Sequence, residues 1–157
     1  MAKNGTPTMA VVFDVIEIIL DKSKKNEIIV LLQPTSPLRT ADDINNSLEL
    51  YLNNECESII SVSRIPKPPY WALKIDENKI KPEFDQKYFK MNRQDFKTFY
   101  IPNGAIYVSD CESLYKNKSF FSNNIIPYIM PIERSIDIDT EFEFFIAEIL
   151  MKKFLSD

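Results

Sequence analysis

A chain of 157 residues, 45% hydrophobic and 27% charged, is long enough to bury one ordinary globular core, so a single domain over 1–157 is expected. Its formal net charge of −4, with Lys and Arg scattered rather than striped, argues against a nucleic-acid partner and leaves room for a small anion held by a few placed cations. No apolar run reaches the roughly 18–20 residues that cross a bilayer and no secretory pattern opens the chain, so no membrane partner and a cytoplasmic location are expected.

Two cysteines, Cys56 and Cys111, make neither a disulfide framework nor a zinc-ligand spacing and read as small apolar side chains. The absence of histidine removes Ser-His-Asp and Cys-His chemistry and His-ligated zinc from this chain. Acid–base work falls to Asp, Glu, Lys or Tyr. With Gly5 and Gly104 the only glycines, there is no Gly-rich loop to wrap a polyphosphate.

In chain order, Thr6 and Pro7 read as the N-cap and first residue of a helix. Met9, Val12, Phe13, Ile16, Ile19 and Leu20 recur at helical spacing, and the narrow polar stripe of Asp14, Glu17 and Asp21 predicts a mostly buried helix. After the polar linker Lys22 to Asn26, the nearly continuous apolar run Glu27 to Leu32 predicts a central parallel strand covered on both faces. Gln33 to Arg39 breaks the strand, and Thr40 with Asp43 forms a capping-box pattern that opens a helix from Ala41 to about Asn53. A second strand spans Ser58 to Ser63, and Pro66, Pro68 and Pro69 then turn the chain away.

Tyr70 to Tyr100 reads as an irregular excursion from the core. Asn103 to Val108 predicts another strand, with Gly104 where a backbone or ligand approaches closely. Ile125 to Met130, interrupted by Pro127, fits an edge strand. Ser135 to Asp139 alternates like a strand, and Thr140 with Glu143 caps a terminal helix whose buried face is Phe142, Phe145, Ile146, Ile149 and Leu150.

Two constellations could carry chemistry. As i and i+2 in a strand, Asp137 and Asp139 would project from one face about 6–7 Å apart, at the sheet edge where open α/β folds bind ligands. A shared cation relieves their repulsion, and oxygen-only ligation suits Mg²⁺ holding substrate phosphates. A solvated Asp pair capping the next helix is the plainer alternative. The Gln33 to Arg39 loop offers an amide, two hydroxyls and a guanidinium to a polar sugar, or is an ordinary turn stiffened by Pro34 and Pro37.

Leu31 to Arg39, Asn103 to Tyr107 and Ser135 to Glu141, with Asn92-Arg93-Gln94 and Phe120-Phe121 between them, resemble the acylneuraminate cytidylyltransferases. The recurrent blocks of that family read L-L-Q-P-T-S-P-L-R, N-G-A-I-Y and S-I-D-I-D-T-E. The resemblance implies a three-layer αβα, Rossmann-like nucleotidyltransferase fold with a mostly parallel sheet. It also implies a protruding dimerisation arm, drawing on about 66–102 and 109–131, and a homodimer. Asp137 and Asp139 would hold a catalytic Mg²⁺ between the phosphates of CTP and a nine-carbon acidic sugar. Gln33, Arg93, Asn103 and Tyr107 would bind that sugar, Arg93 facing its carboxylate and Lys74 adding a looser contact. Phe120 and Phe121 would be inserted by the partner subunit against the sugar's acyl group, or simply pack an edge.

The implied reaction joins CMP to the sugar's anomeric hydroxyl and releases pyrophosphate. A CMP-Kdo synthetase and a non-catalytic sugar-binding remnant of the family are the competing readings. The family's opening strand and its Arg-, Gly-, Ser-, Lys- and Asn-bearing loop, which bind base and triphosphate, have no match in this chain. An N-terminally incomplete sheet, an apolar edge beside Glu27 to Leu32 and no CTP turnover by the chain alone are therefore expected.

Overall fold

The computed structural model describes residues 7–19 and 27–156. Its framework is a four-stranded sheet built on two apolar strands, β2 (Ser58–Arg64) and β5 (Tyr100–Asp110). β2 is buried along its length except at Arg64, because Ile59 faces one layer of helices while Ile60 and Val62 face the other. β1 (Ile28–Leu31) and β6 (Ile125–Ile129) complete the order β1-β5-β2-β6.

β5 runs antiparallel to both β1 and β2, and only β2 with β6 pairs in parallel. The expected mostly parallel sheet is thus a mixed one. The reason lies in the connection: Arg64 at the end of β2 pairs with Tyr100 at the start of β5, so the chain returns beside its point of departure and must run back. The predicted central place of Glu27 to Leu32 is corrected as well, since β1 pairs with β5 alone among the described residues and stands at the edge. β6, carrying Pro127, occupies the opposite edge as its proline requires.

Helices cover both faces. On one, α1 (Thr8–Ile19) and α3 (Cys111–Asn117) bring Val12, Ile16, Cys111 and Leu114 against Ile60, Val62 and Phe120. On the other, Ile44, Leu48 and Tyr51 of α2 (Ala41–Leu52) pack on Ile59, Ile106, Val108 and Met130. The sequence predicts a mostly buried α1, but only Val12 and Ile16 are buried while Ile18 and Ile19 are exposed. An apolar cavity of about 420 Å³ separates α1 from the edge strand, lined by Val11, Val15, Ile19, Ile28 and Val30 among others. The predicted Thr6 cap, Leu20 and Asp21 lie outside the described residues.

Between β2 and β5 the excursion has its own small framework. A hairpin of β3 (Leu73–Asp76) and β4 (Lys79–Pro82) turns through Glu77 and Asn78, both at positive φ. Beneath it the rings of Tyr70 and Tyr88 stack at 4.3 Å, Phe84, Phe96 and Phe99 close around Tyr70, and the Trp71 indole donates to the Tyr88 carbonyl. Aromatic burial of this kind orders a segment that has few main-chain ladders of its own.

α2 begins as predicted, with Thr40 and Asp43 forming a reciprocal capping box, and α4 (Glu141–Phe154) begins the same way with Thr140 and Glu143. α4's expected buried face is not buried. Only Ala147 is enclosed, and Phe142, Phe145 and Ile149 are exposed. Ser135 to Asp139 is also not a strand. A 3₁₀ turn at Ile132–Arg134 precedes it, and Ile138 N–H donates to the carbonyl of Thr35, tying the segment to the loop after β1 instead of to a neighbouring strand.

Candidate functional site

Three segments meet at the carboxyl end of β1. The Gln33 to Arg39 loop is folded on itself by Arg39, whose Nη1 donates to the carbonyls of Gln33 at 2.7 Å and Ser36 at 2.5 Å. Burial pushes the Arg39 guanidinium below its ordinary value, and the two carbonyls give its charge local partners. β5 passes alongside at Asn103 and Gly104, and the 135–139 segment is drawn in by the Ile138 to Thr35 bond of 2.8 Å.

Gly104 is the point of closest approach. Its φ of +74° is a conformation that glycine adopts without strain, and a Cβ there would lie 2.6 Å from Gln33 Oε1, 2.8 Å from Ser36 Oγ and 3.1 Å from Asp137 Oδ2. Only a bare Cα lets these three oxygens gather. Ser36 Oγ donates to the carbonyl of Asn103 at 3.0 Å and lies 3.4 Å from Asp137 Oδ1. The Tyr107 phenol is held above its ordinary pKa by burial and by the charge of Asp137, so at neutral pH it presents an O–H donor. Its ring packs 5.5 Å from that of Phe120.

Gln33, Asn103 and Asp137 are therefore brought into one neighbourhood, with Tyr107 farther along β5 and packed on the α1 side of the sheet. Asn103, however, is 3% exposed and its amide is engaged inside the protein, with no free donor for a ligand. Phe120 is buried in the core and Phe121 is 57% exposed, so of the aromatic pair only Phe121 can reach another surface. Its neighbour's ring is already committed to Tyr107. Lys74 lies on the separate β3–β4 hairpin, ion-paired with Glu83 at 3.1 Å. Asp139 is exposed in the bend before α4, where its main-chain N–H caps onto Glu143.

Arg93 lies at the base of the excursion and lines a small cleft of about 30 Å³ together with Arg64 and Lys97. Neither Arg64 nor Lys97 is singled out by the sequence blocks. The continuous burial of β2 singles out Arg64 alone, as the charged residue that ends a buried strand. Ser36 is one of the two loop hydroxyls the sequence offers, whereas Ser61 and Ser135 are given no role there, since a serine carries no pattern that reveals its partner.

In donor type, the carboxylates of Asp137 and Asp139 fit a hard divalent cation that keeps waters and shares ligands with phosphate. Among the described residues no three His, Cys, Asp or Glu side chains gather as a closed metal cage. The arrangement thus gathers three side-chain oxygens against the bare Cα of Gly104, beside a part-buried loop, with the Asp137 carboxylate among them. No helix among the described residues is long and apolar enough to cross a membrane.

No family model matches the chain. It is 32% identical over 132 residues to an N-acylneuraminate cytidylyltransferase of Streptococcus agalactiae, an alignment covering 84% of this chain and 32% of that protein. It is 34% identical over 128 residues to an N-acylneuraminate cytidylyltransferase of Escherichia coli, covering 81% of the chain and 30% of the relative. The CMP-N,N'-diacetyllegionaminic acid synthase of Legionella pneumophila is 33% identical over 154 residues, or 94% of the chain and 65% of the relative. The chain thus spans about a third of the length of the first two and just under two thirds of the third. At 32–34% identity over 81–94% of its length, the chain belongs to the acylneuraminate cytidylyltransferase family.

Proposed function

We propose that the chain serves transfer of CMP from CTP to a nonulosonic acid of the sialic type, with release of pyrophosphate. The observation that carries this reading is the convergence of Gln33, Ser36 and Asp137 on Gly104, three segments apart in sequence and joined in space. The sugar's anomeric oxygen forms a bond to the α-phosphorus of CTP, the bond from that phosphorus to the pyrophosphate oxygen breaks, and the hydroxyl proton passes to solvent water.

Side chains of this protein would chiefly bind and orient. The Gln33 amide and the Tyr107 O–H address sugar hydroxyls, and Arg93 pairs with the sugar carboxylate, as a guanidinium does in a fork. Asp137 and Asp139 would hold Mg²⁺, which supplies charge neutralisation at the phosphates when bound. Positioning and neutralisation suffice for such transfers, so a chain without histidine is not handicapped. A homodimer that shares the excursion between subunits and a cytoplasmic location, where CTP is made, complete the proposal.

Isothermal titration of the purified chain with CTP and Mg²⁺, and then with sialic acid, tests it, with Asp137→Asn as control. Binding of both ligands, with CTP binding lost in the variant, supports the transferase reading. Sugar binding with no CTP binding favours a sugar-binding module, which the lack of any Gly-rich phosphate loop in the sequence would explain. No affinity for either ligand would sink both.

A further inference from the structure

Asn103 stands at the centre of the site yet has nothing left to offer a ligand. A carboxamide has two N–H donors and two acceptor lone pairs. Here Oδ1 accepts from Ser61 Oγ at 2.6 Å and from the Ala105 N–H at 3.2 Å, while Nδ2 donates to Ser135 Oγ at 2.9 Å and lies 3.4 Å from Met130 Sδ. All four positions are taken.

The orientation of this amide is fixed. The Ala105 N–H can only donate, so the atom facing it must be the oxygen, and a flip would set donor against donor. Ser61 is fully buried and its hydroxyl is directed in the same way, accepting from the Ile106 N–H at 2.7 Å and therefore donating to Asn103. Ser135 accepts from Asn103 and donates to the Pro131 carbonyl at 2.7 Å, which closes the turn that leads into Asp137. On the other side the Asn103 carbonyl receives Ser36 Oγ, the hydroxyl beside Asp137 Oδ1.

We infer that Asn103, with Ser61 and Ser135, is a positioning residue: the three form a directionally ordered hydrogen-bond chain, buried at Ser61 and Asn103 and reaching the surface at Ser135, that carries the register of β2 and β5 into the placement of Asp137. The proposal rests on the reading of Asp137 as a cation-holding carboxylate. It replaces a direct sugar contact of the Asn103 side chain by an indirect role. The two serines would then matter to the site although neither is one of its ligand-binding residues.

Mn²⁺ serves as the probe for the cation, its free electron paramagnetic resonance signal being followed with CTP present and absent, and sialic acid affinity is measured beside it. Asp137→Asn fixes the baseline of a lost cation site. Ser61→Ala and Ser135→Ala are expected to weaken Mn²⁺ binding about tenfold, the equivalent of roughly one 1.4 kcal/mol step. Ser135→Thr, which keeps the hydroxyl, is expected to restore it to within about twofold. Circular dichroism melts confirm that each variant is folded, and Ser135→Thr guards against a structural artefact in the alanine form.

Loss of Mn²⁺ binding in Asp137→Asn with none in either serine variant would overturn the positioning role alone. An Asn103→Asp variant that loses sialic acid and keeps Mn²⁺ would overturn it too, by making Asn103 a direct ligand. Wild-type Mn²⁺ affinity in Asp137→Asn, or no Mn²⁺ binding by the unaltered chain, would overturn the cation reading itself.

Discussion

The guanidinium of Arg134 meets the carboxylate of Asp43 edge to edge, Nε to Oδ2 at 3.0 Å and Nη2 to Oδ1 at 2.7 Å. Asp43 is almost wholly buried and is at once the third residue of the α2 capping box and an acceptor from the Tyr128 phenol. One carboxylate thus joins the start of α2, the edge strand β6 and the turn that precedes Asp137. Asp43→Asn should keep the shape while surrendering the bidentate pair, leaving Arg134 without its partner and costing roughly 3 kcal/mol. Urea denaturation is the measurement, and an unchanged midpoint would remove the structural importance given to this pair.

The same carboxylate sets an acid limit on stability. Burial alone pushes Asp43 upward, but hydrogen bonds from Arg134, Thr40 and Tyr128 outweigh it and bring the group down to about 2. Its folded value is below the unfolded one, so the stabilisation is full above about pH 4 and is lost as pH falls from there through about 2. The amount is about 2 kcal/mol. Comparing unfolding midpoints at pH 6 and pH 2.5 should show a steeper loss in the native chain than in Asp43→Asn, and parallel losses would refute the assignment.

Gly104→Ala should damage the site more than the fold. The added methyl falls within 3 Å of Gln33 Oε1 and Ser36 Oγ, and the residue must hold φ at +74°. Strain of about 1–2 kcal/mol is expected from the backbone alone. Displacement of Gln33 should cut sialic acid affinity by at least about tenfold, a factor worth roughly 1.4 kcal/mol. Titration with sialic acid decides the matter, since retained affinity in a folded variant would place the sugar elsewhere.

The excursion invites a test of assembly. Ile75 and Ile80 face each other across the β3–β4 hairpin, 79% and 66% exposed. Such a pair is costly to leave in water and suits burial against a second copy. Ile75→Lys with Ile80→Lys should shift the mass seen by light scattering from dimer to monomer without lowering the melting temperature of the sheet. A native chain that is monomeric at all concentrations would exclude this use of the hairpin.

Much of this organisation is legible in the sequence where local chemistry decides it. The Thr40–Asp43 and Thr140–Glu143 boxes, the strand from Ser58 and the close approach at Gly104 follow from a few neighbouring residues, and each stands where the sequence puts it. What fails is whatever depends on distant partners. The direction of β5 is set by the return of the chain to Arg64, and Ser135 to Asp139 alternates like a strand but bonds through its Ile138 N–H to the Thr35 loop and not to a neighbouring strand. Periodicity in α4 marks Phe142 and Phe145 as a face to be covered without saying that anything covers it. The buried amide of Asn103 shows the same limit at the site, because residue type announces hydrogen-bonding capacity and only the fold shows where it is spent.

The excursion leaves and re-enters the sheet through a single doorway, Arg64 opposite Tyr100, reinforced by the Ile65 N–H to Phe99 carbonyl bond at 2.9 Å. Between these posts the segment carries its own aromatic interior and little of the main core. Insertions or deletions confined to that segment are expected to leave the pairing of β2 with β5 in register. The convergence of Gln33, Ser36 and Asp137 on Gly104 lies outside that doorway, so its geometry does not depend on how long the excursion is.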